Sequence, residues 1–246
     1  MQLYLIRHGQ SENNHLWAST GSSQGRHEDP ELTAVGRQQA ALVAEFLQRT
    51  DPAWADKTYD PQNVAGFGIT HVYCSLMVRA VATGAAIAGL GSVATRSALP
   101  LVGLRSAHET GGIYQMDPET GEPVGLPGRT RSYFEAHYPT LRLPESVDEN
   151  GWWNRPREED DEIPPRAQRL LGMLLTQHGD TDDHIALVTH GGFYNYLLAA
   201  LLDIPAERDC WFGLNNTAIT RIDFDPDRMR LVYMNRVDFL PAVLIT

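Results

Sequence analysis

Cysteine is scarce in this chain: Cys74 and Cys210 are the only two, too few for a disulfide framework and in no metal-ligand spacing. Both are expected to be free, buried thiols in a reducing cytoplasmic compartment. Long apolar runs are missing too. None approaches the roughly 20 residues that span a bilayer, and no basic segment followed by a long apolar stretch opens the chain. Neither a membrane span nor a signal peptide is therefore expected. Positive charge is in deficit, with 20 Lys and Arg against 31 Asp and Glu and a formal net charge of −11. Such a field repels nucleic acid and anionic membranes. Neither is a partner on this reading, and any bound anion must be drawn in by a local basic site. Solenoid-type repeats are absent as well, and nothing in the composition speaks to oligomeric state.

What is present is an ordinary globular composition, 42% hydrophobic and 21% charged over 246 residues, which suits one large domain, residues 1–246. "LYLIRHG" reads as a buried strand and residues 9–31 as a polar loop. Thr33 reads as the N-cap of an amphipathic helix over "LTAVGRQQAALVAEFLQR". Residues 50–67 read as a second loop, "GITHVYCS" as a strand, "LMVRAVATGAAIAGL" as an Ala-rich helix and "SVATRSALPLV" as a third strand. Residues 103–165 change character, with Pro, Gly and acidic residues dominant and one short helix near "SYFEAHY"; they read as a lid inserted into the domain. Within them "REEDDE" reads as a solvated loop. "PRAQRLLGMLLTQH" resumes as a helix with Pro165 near its first turn. "HIALVTHGG" and "FYNYLLAALL" follow as strand and helix, and three short β-like segments close the chain near 210–214, 217–224 and 229–236. Strands alternating with helices predict a three-layer α/β/α sandwich around a largely parallel sheet.

"LYLIRHGQ" and "IALVTHGG" share one construction, an apolar strand ending in His-Gly. Sites in open α/β sheets form at the carboxyl ends of strands, where "HVYCSLMVRA" also delivers Arg79 on the first turn of the next helix. Arg7, His8, Arg79 and His190 thus form a candidate cluster. One reading makes them satisfied strand ends and structural ion pairs. A metal site of His8, His190 and a Glu is opposed by the two arginines, which would raise the energy of a cation. In a phosphate pocket, guanidinium forks match phosphate oxygens and a histidine serves as nucleophile at phosphorus. Gly9 would let the chain turn tightly and the substrate approach.

At this point "LIRHGQSENN" resembles the signature of the histidine phosphatase, or phosphoglycerate mutase-like, superfamily. "LTAVGRQQA", "CSLMVRAVATG", "LVTHGG" and "NNTAITRI" resemble further segments of that family, in order along the chain. The resemblance implies His8 as phosphorylated nucleophile, with Arg7, Asn14, Arg79 and His190 around the phosphoryl group and His190 also in the catalytic set. It implies a general acid after the third strand, where "GLRSAHETGGIY" offers Glu109; Glu28, Asp29 and Glu31 are fallbacks. No cofactor and no metal are implied. The implied activity is metal-independent hydrolysis of a small phosphorylated metabolite, with a phosphoglycerate mutase or a non-catalytic phosphate binder as alternatives. The mutase branch's Glu-Arg-His-Tyr-Gly stretch is replaced here by "SAHETGGIY". Trp152, Trp153, Tyr114 and Tyr133 are candidate pocket walls or a small core of their own. Arg105, Arg129 and Arg131 are candidates for a second anionic group on the substrate.

Overall fold

The computed structural model describes residues 1–57, 59–89, 98–205 and 210–246. A seven-stranded sheet runs in the order β6-β3-β2-β7-β1-β8-β9. Strands β1 (Gln2–Arg7), β2 (His71–Ser75), β3 (Leu101–Leu104), β6 (Leu141–Arg142) and β7 (His184–Thr189) are parallel, while β8 (Ile219–Asp225) and β9 (Arg228–Arg236) add an antiparallel edge. Side chains of successive strand residues face opposite sides, and the central strands are apolar on both. Tyr4, Ile6, Val72, Cys74, Ala186 and Val188 pack with α2 (Ala34–Gln48) and α3 (Val78–Gly89). Leu3, Leu5, Tyr73, Ile185 and Leu187 pack with α5 (Ile163–His178) and α6 (Gly191–Leu202). The result is the expected three-layer α/β/α sandwich.

Several local expectations hold. The Thr33 hydroxyl accepts from the Gly36 N–H, which fixes the start of α2. The "SYFEAHY" helix is α4 (Arg131–His137), capped by Thr130. Prolines stand in the first turn of α5, where their missing N–H has no intrahelical partner to lose.

Others are corrected. The 9–31 stretch is not all loop, because α1 (Glu12–Thr20) is nucleated by a capping box between Ser11 and Asn14, a signal masked by its weak apolar face. Residues 210–214 form no strand. The third strand occupies only Leu101–Leu104, and residues 92–97 of the expected strand lie outside the described residues. Cys74 is buried but Cys210 is exposed. Nor is "REEDDE" uniformly solvated, since Glu158 is buried against Arg166.

The 103–165 segment is closely joined to the domain. Its strand β6 extends the main sheet beside β3, and Phe134, Val147, Trp152 and Trp153 are buried in the α2–α3 core, so both tryptophans serve packing. A two-stranded ribbon of β4 (Tyr114–Met116) and β5 (Pro123–Gly125) projects from it.

Gly9 is needed for contact, not for an unusual φ. A Cβ there would lie 2.5 Å from the Gly36 carbonyl oxygen, and one at Gly36 would lie 2.0 Å from the Gln10 oxygen. The strand end carrying His8 is thus pressed against the first turn of α2. Gly36→Ala is expected to destabilise by about 1–3 kcal/mol through overpacking and to lower activity by shifting the strand end. Gly172→Ala, on an open face of α5 with nothing within 4 Å, is expected to be neutral or to stabilise by about 0.5–1 kcal/mol. Urea unfolding of the two variants checks this, and equal effects would contradict it.

Candidate active site

Parallel strands β1 and β7 are paired in register, Arg7 opposite Thr189, so the residues just beyond them, His8 and His190, emerge side by side. Their ring centroids are 5.0 Å apart. Both are buried, His8 at 2% exposure and His190 at 0%. His8 Nδ1 lies 2.7 Å from the Gly9 carbonyl oxygen. A carbonyl only accepts, so Nδ1 carries the proton and Nε2 presents its lone pair. Arg79, on the first turn of α3, donates from Nε to that Nε2 at 3.2 Å. Burial, Arg79 and Arg7 together hold His8 well below the usual histidine range, and burial with Arg79 does the same to His190. The strand ends therefore carry two neutral imidazoles beside two guanidiniums.

These groups lack protein partners to an unusual degree. Arg7 Nε, Arg79 Nη1 and both ring nitrogens of His190 are buried with no hydrogen-bond partner among the described residues. Arg7 donates from Nη1 to the Leu214 carbonyl, and Arg79 from Nη2 to the Met77 sulfur at 3.1 Å. Unpaired buried donors are costly and rare. A tetrahedral oxyanion would satisfy them together.

Two further residues steady the strand end. Asn216 donates from Nδ2 to the His8 carbonyl at 3.0 Å and to Asn14 Oδ1 at 3.2 Å. Thr83 accepts from the Gly9 N–H at 3.1 Å and donates to the Arg79 carbonyl at 2.8 Å. Asn216 lies in "NNTAITRI" and Thr83 in "CSLMVRAVATG", where spacing alone assigns neither a task. Asn14 reaches the site, but its Oδ1 is committed to the Ser11 N–H and to Asn216.

Glu109 arrives at the same edge from the turn after β3. Its carboxylate accepts the Phe193 N–H at 2.9 Å and the Gly192 N–H at 3.2 Å, and also its neighbour's, Thr110, at 2.9 Å. It thus caps the N-terminus of α6, the helix that His190 opens without any side-chain cap of its own. The turn is anchored by Arg166, which donates to the Ser106 and His108 carbonyls at 2.7 and 3.0 Å and pairs through two nitrogens with Glu158 at 2.5 and 2.7 Å. Of the fallback carboxylates, Asp29 is buried, takes the Val78 N–H at 3.1 Å and stands 3.7 Å from Arg79 Nη1. Burial pushes its carboxyl up to about 6. Glu28 and Glu31 make peripheral contacts with His27 and Tyr133.

A cleft of about 930 Å³ opens over Arg7, Glu109 and the start of α6, walled by Trp17 and Trp211. Trp17 was out of reach of the sequence because α1 read as loop. Arg131 is spent on the Val147 and Pro144 carbonyls. Arg105 and Trp153 lie by a separate recess with His108.

The profile described as histidine phosphatase superfamily, branch 1, matches residues 3–55 and 125–237. The chain belongs to the histidine phosphatase superfamily. The matched segments contain Arg7, His8, Asn14 and His190, while Arg79 and Glu109 fall between them. Relatives within the superfamily include a glucosyl-3-phosphoglycerate phosphatase of Mycolicibacterium vanbaalenii, 28% identical over 92% of this chain and 88% of its own length. Another is a probable phosphoglycerate mutase GpmB of Yersinia enterocolitica, 27% identical over 91% of this chain and 85% of its own length. Among solved structures, a phosphoserine phosphatase from Entamoeba histolytica in complex with 3-phosphoglyceric acid superposes with a TM-score of 0.58 at 23% identity, over 98% of this chain and 99% of its own. At that identity the likeness is one of fold.

The buried imidazoles of this histidine phosphatase superfamily member make stability depend on pH with a definite sign. His8, His108 and His190 are all held well below 6.5. Below that pH the unfolded chain takes up protons that the folded chain refuses, so stability falls as pH drops, by up to about 1.4 kcal/mol per pH unit for each histidine. Asp29, raised to about 6, acts oppositely between roughly pH 4 and 6 and offsets one of the three. Denaturant unfolding is expected to show a clear net loss of stability between about pH 7 and pH 5, and constant or rising stability over that range would contradict neutral histidines.

Proposed function

We propose that the protein is a phosphomonoesterase that works through a phosphohistidine on His8 and acts on a small phosphorylated metabolite. The observation that carries this reading is the neutral, oriented His8 Nε2 beside buried nitrogens of Arg7, Arg79 and His190 that have no hydrogen-bond partner among the described residues. A site that only bound phosphate would gain nothing from a nucleophile so prepared.

In the first step Arg79 exchanges its Nε–H bond to His8 Nε2 for one to a phosphoryl oxygen, and the freed Nε2 attacks phosphorus as the bond to the leaving oxygen breaks. Arg7, Arg79 and His190 take the non-bridging oxygens; losing one such donor typically costs about 10²–10³ in rate. The leaving oxygen needs a proton and the second step needs a base. Glu109 is assigned both, since one carboxyl group can give the proton and then recover it from the attacking water, a contribution of about 10²–10⁴. Water then displaces phosphate from His8 and restores the free imidazole. The residues present need no metal for this chemistry, because arginine charge occupies the places a cation would take.

Relatives on the phosphatase and the mutase side both resemble the chain. Hydrolysis is favoured here by the open mouth of the cleft, where Trp17 and Trp211 are more than half exposed, and by the lack of the mutase branch's Arg and His-Tyr-Gly after the Glu. A mutase must keep its phosphohistidine from water while the intermediate turns over. Residues 103–165 are proposed to tune specificity as the lid region, with the β4–β5 ribbon that Arg26 contacts at the Tyr114 ring as its working part. Arg26, which lies over the Tyr114 ring of that ribbon and acts on Arg79, and Arg129, which acts on Asp29, are the cations assigned to a second anionic group on the substrate.

Rapid quenching during turnover of labelled p-nitrophenyl phosphate should trap an acid-labile, alkali-stable phosphoenzyme that His8→Ala abolishes; label persisting in the variant, or found on serine, would remove His8 from the role. Activity should survive exhaustive chelation, and loss on chelation with rescue by zinc or manganese would overturn metal independence. Glu109→Gln should lower kcat/KM, which reads the phosphorylation step, far more for alkyl phosphates than for p-nitrophenyl phosphate, whose leaving group needs little protonation. If Asp29→Asn shows that pattern and Glu109→Gln does not, the acid is Asp29.

A further inference from the structure

At the opposite edge of the sheet, three potential metal ligands converge away from the catalytic groups. His71 opens β2, His178 closes α5, and Asp183 ends the return turn immediately before β7. Strands β2 and β7 are paired with His71 opposite Ile185, which brings the turn beside His71. His178 Nδ1 lies 2.8 Å from Asp183 Oδ2, and His71 Nδ1 lies 3.6 Å from Asp183 Oδ1. One donor atom from each residue can be chosen so that all lie within 4.8 Å of one another. The length of β2 separates this cluster from the Arg79 end of the sheet, a span of more than about 13 Å at 3.3 Å per residue.

We propose that His71, His178 and Asp183 bind one divalent transition-metal ion of the zinc class. Two imidazoles and a carboxylate form a ligand set suited to zinc, with bonds of about 2.0–2.2 Å. Tetrahedral ligands at those bond lengths stand about 3.4 Å apart; the spacings of 2.8 and 3.6 Å run to different oxygens of Asp183, so small side-chain rotations bring one oxygen and the two imidazoles into that geometry. The shell behind the ligands is already built. Tyr73 Oη lies 2.9 Å from His178 Nε2, with both residues buried. A phenol hydroxyl can either donate or accept, so it can hold Nε2–H while Nδ1 turns to the ion. Such outer partners fix ring orientation and tautomer at metal sites. Thr181 donates to Asp183 Oδ2 at 2.8 Å, while Thr70 Oγ1, 2.9 Å from His71 Nδ1, is the contact that an ion at that nitrogen would displace.

The charge around the cluster favours a cation. Asp180 and Asp182 share the turn with Asp183, and no Arg or Lys pairs with Asp183 among the described residues. The Met1 ammonium is close by but is directed at the Thr181 and Phe224 carbonyls, at 2.7 and 3.3 Å. An ion here would tie the end of α5 to the starts of β2 and β7. Its effect would be on stability, not on turnover. His71 and Asp183 are partly exposed, which leaves a path for entry and room for water as a further ligand.

The test titrates zinc into chelator-stripped full-length protein against a chromophoric competitor and follows thermal unfolding in parallel. Wild type and His190→Gln are both expected to take up one zinc ion at this site at micromolar or lower concentration, with a higher Tm. His71→Ala, at a partly exposed position, and Asp183→Asn should bind at least tenfold more weakly and lose the Tm shift, while metal-free turnover of p-nitrophenyl phosphate stays at the wild-type level. Binding that persists in both variants but disappears in His190→Gln would move the metal to the catalytic histidines and overturn the proposal. No uptake at about 100 μM zinc would overturn it as well, leaving the cluster as a His–Asp–His hydrogen-bond network.

Discussion

The desolvation of positive charge at the carboxyl ends of β1, β2 and β7 is the constraint on which the site depends. Arg7 and Arg79 keep their protons under any ordinary condition, so removing water from around them disfavours further cations nearby. His8 and His190 respond by staying neutral. That response is chemically useful, because a neutral imidazole with Nδ1–H held by the Gly9 carbonyl has a lone pair to offer at Nε2. The same crowding leaves donors that no protein group satisfies, so the pocket gains most from a ligand carrying two or more negative charges on a compact tetrahedral frame. In the proposed reaction, attraction for phosphate and readiness of His8 to attack thus share one electrostatic origin.

Holding such groups together requires a rigid frame, and each packing layer supplies part of it. The α2 side presses Gly36 against Gly9 and Gln10, leaving no room for a side chain. On the other face, Arg166 and Glu158 form a buried, doubly hydrogen-bonded ion pair that also holds the carbonyls leading into Glu109. Breaking one partner of such a pair strands the other charge, so its importance to the site exceeds its distance from the cleft. Glu109 in turn neutralises the N-terminus of α6 where His190 leaves the strand, which couples the carboxylate's position to that of the second histidine.

Much of this was legible in the sequence because it rests on strand ends. Apolar runs terminating in Arg-His-Gly and Thr-His-Gly, and a Ser-x-x-x-Arg step from strand to helix, fix which residues meet once the sheet is parallel. What escaped either lacks an apolar period or is set by a partner elsewhere in the chain. Helix α1 lacks a strong apolar face and begins on a Ser–Asn capping box, so no periodicity marked it, and Trp17 was missed with it. Glu158 looked like one acid among many until Arg166, a turn into α5, gave it a buried partner. Asn216 and Thr83 act through the backbone of His8, Gly9 and Arg79, a role that spacing alone does not reveal. The expected strand at 210–214 is tied to α6 instead of to a strand, with the Phe212 N–H donating to Asn195 Oδ1 at 2.7 Å and Asn195 Nδ2 donating to the Phe212 carbonyl at 3.2 Å, a partner that its composition does not announce.

The proposed reaction consists of two successive displacements at phosphorus, first by His8 and then by water. Each in-line displacement inverts configuration, so two in sequence restore it. Turnover of a phosphorothioate monoester made chiral with isotopic oxygen, in water carrying the third oxygen isotope, reads the outcome directly from the configuration of the released thiophosphate. Net retention is the expected result. Net inversion would mean that water attacks the substrate in a single step, and the oriented imidazole of His8 would then need a different explanation.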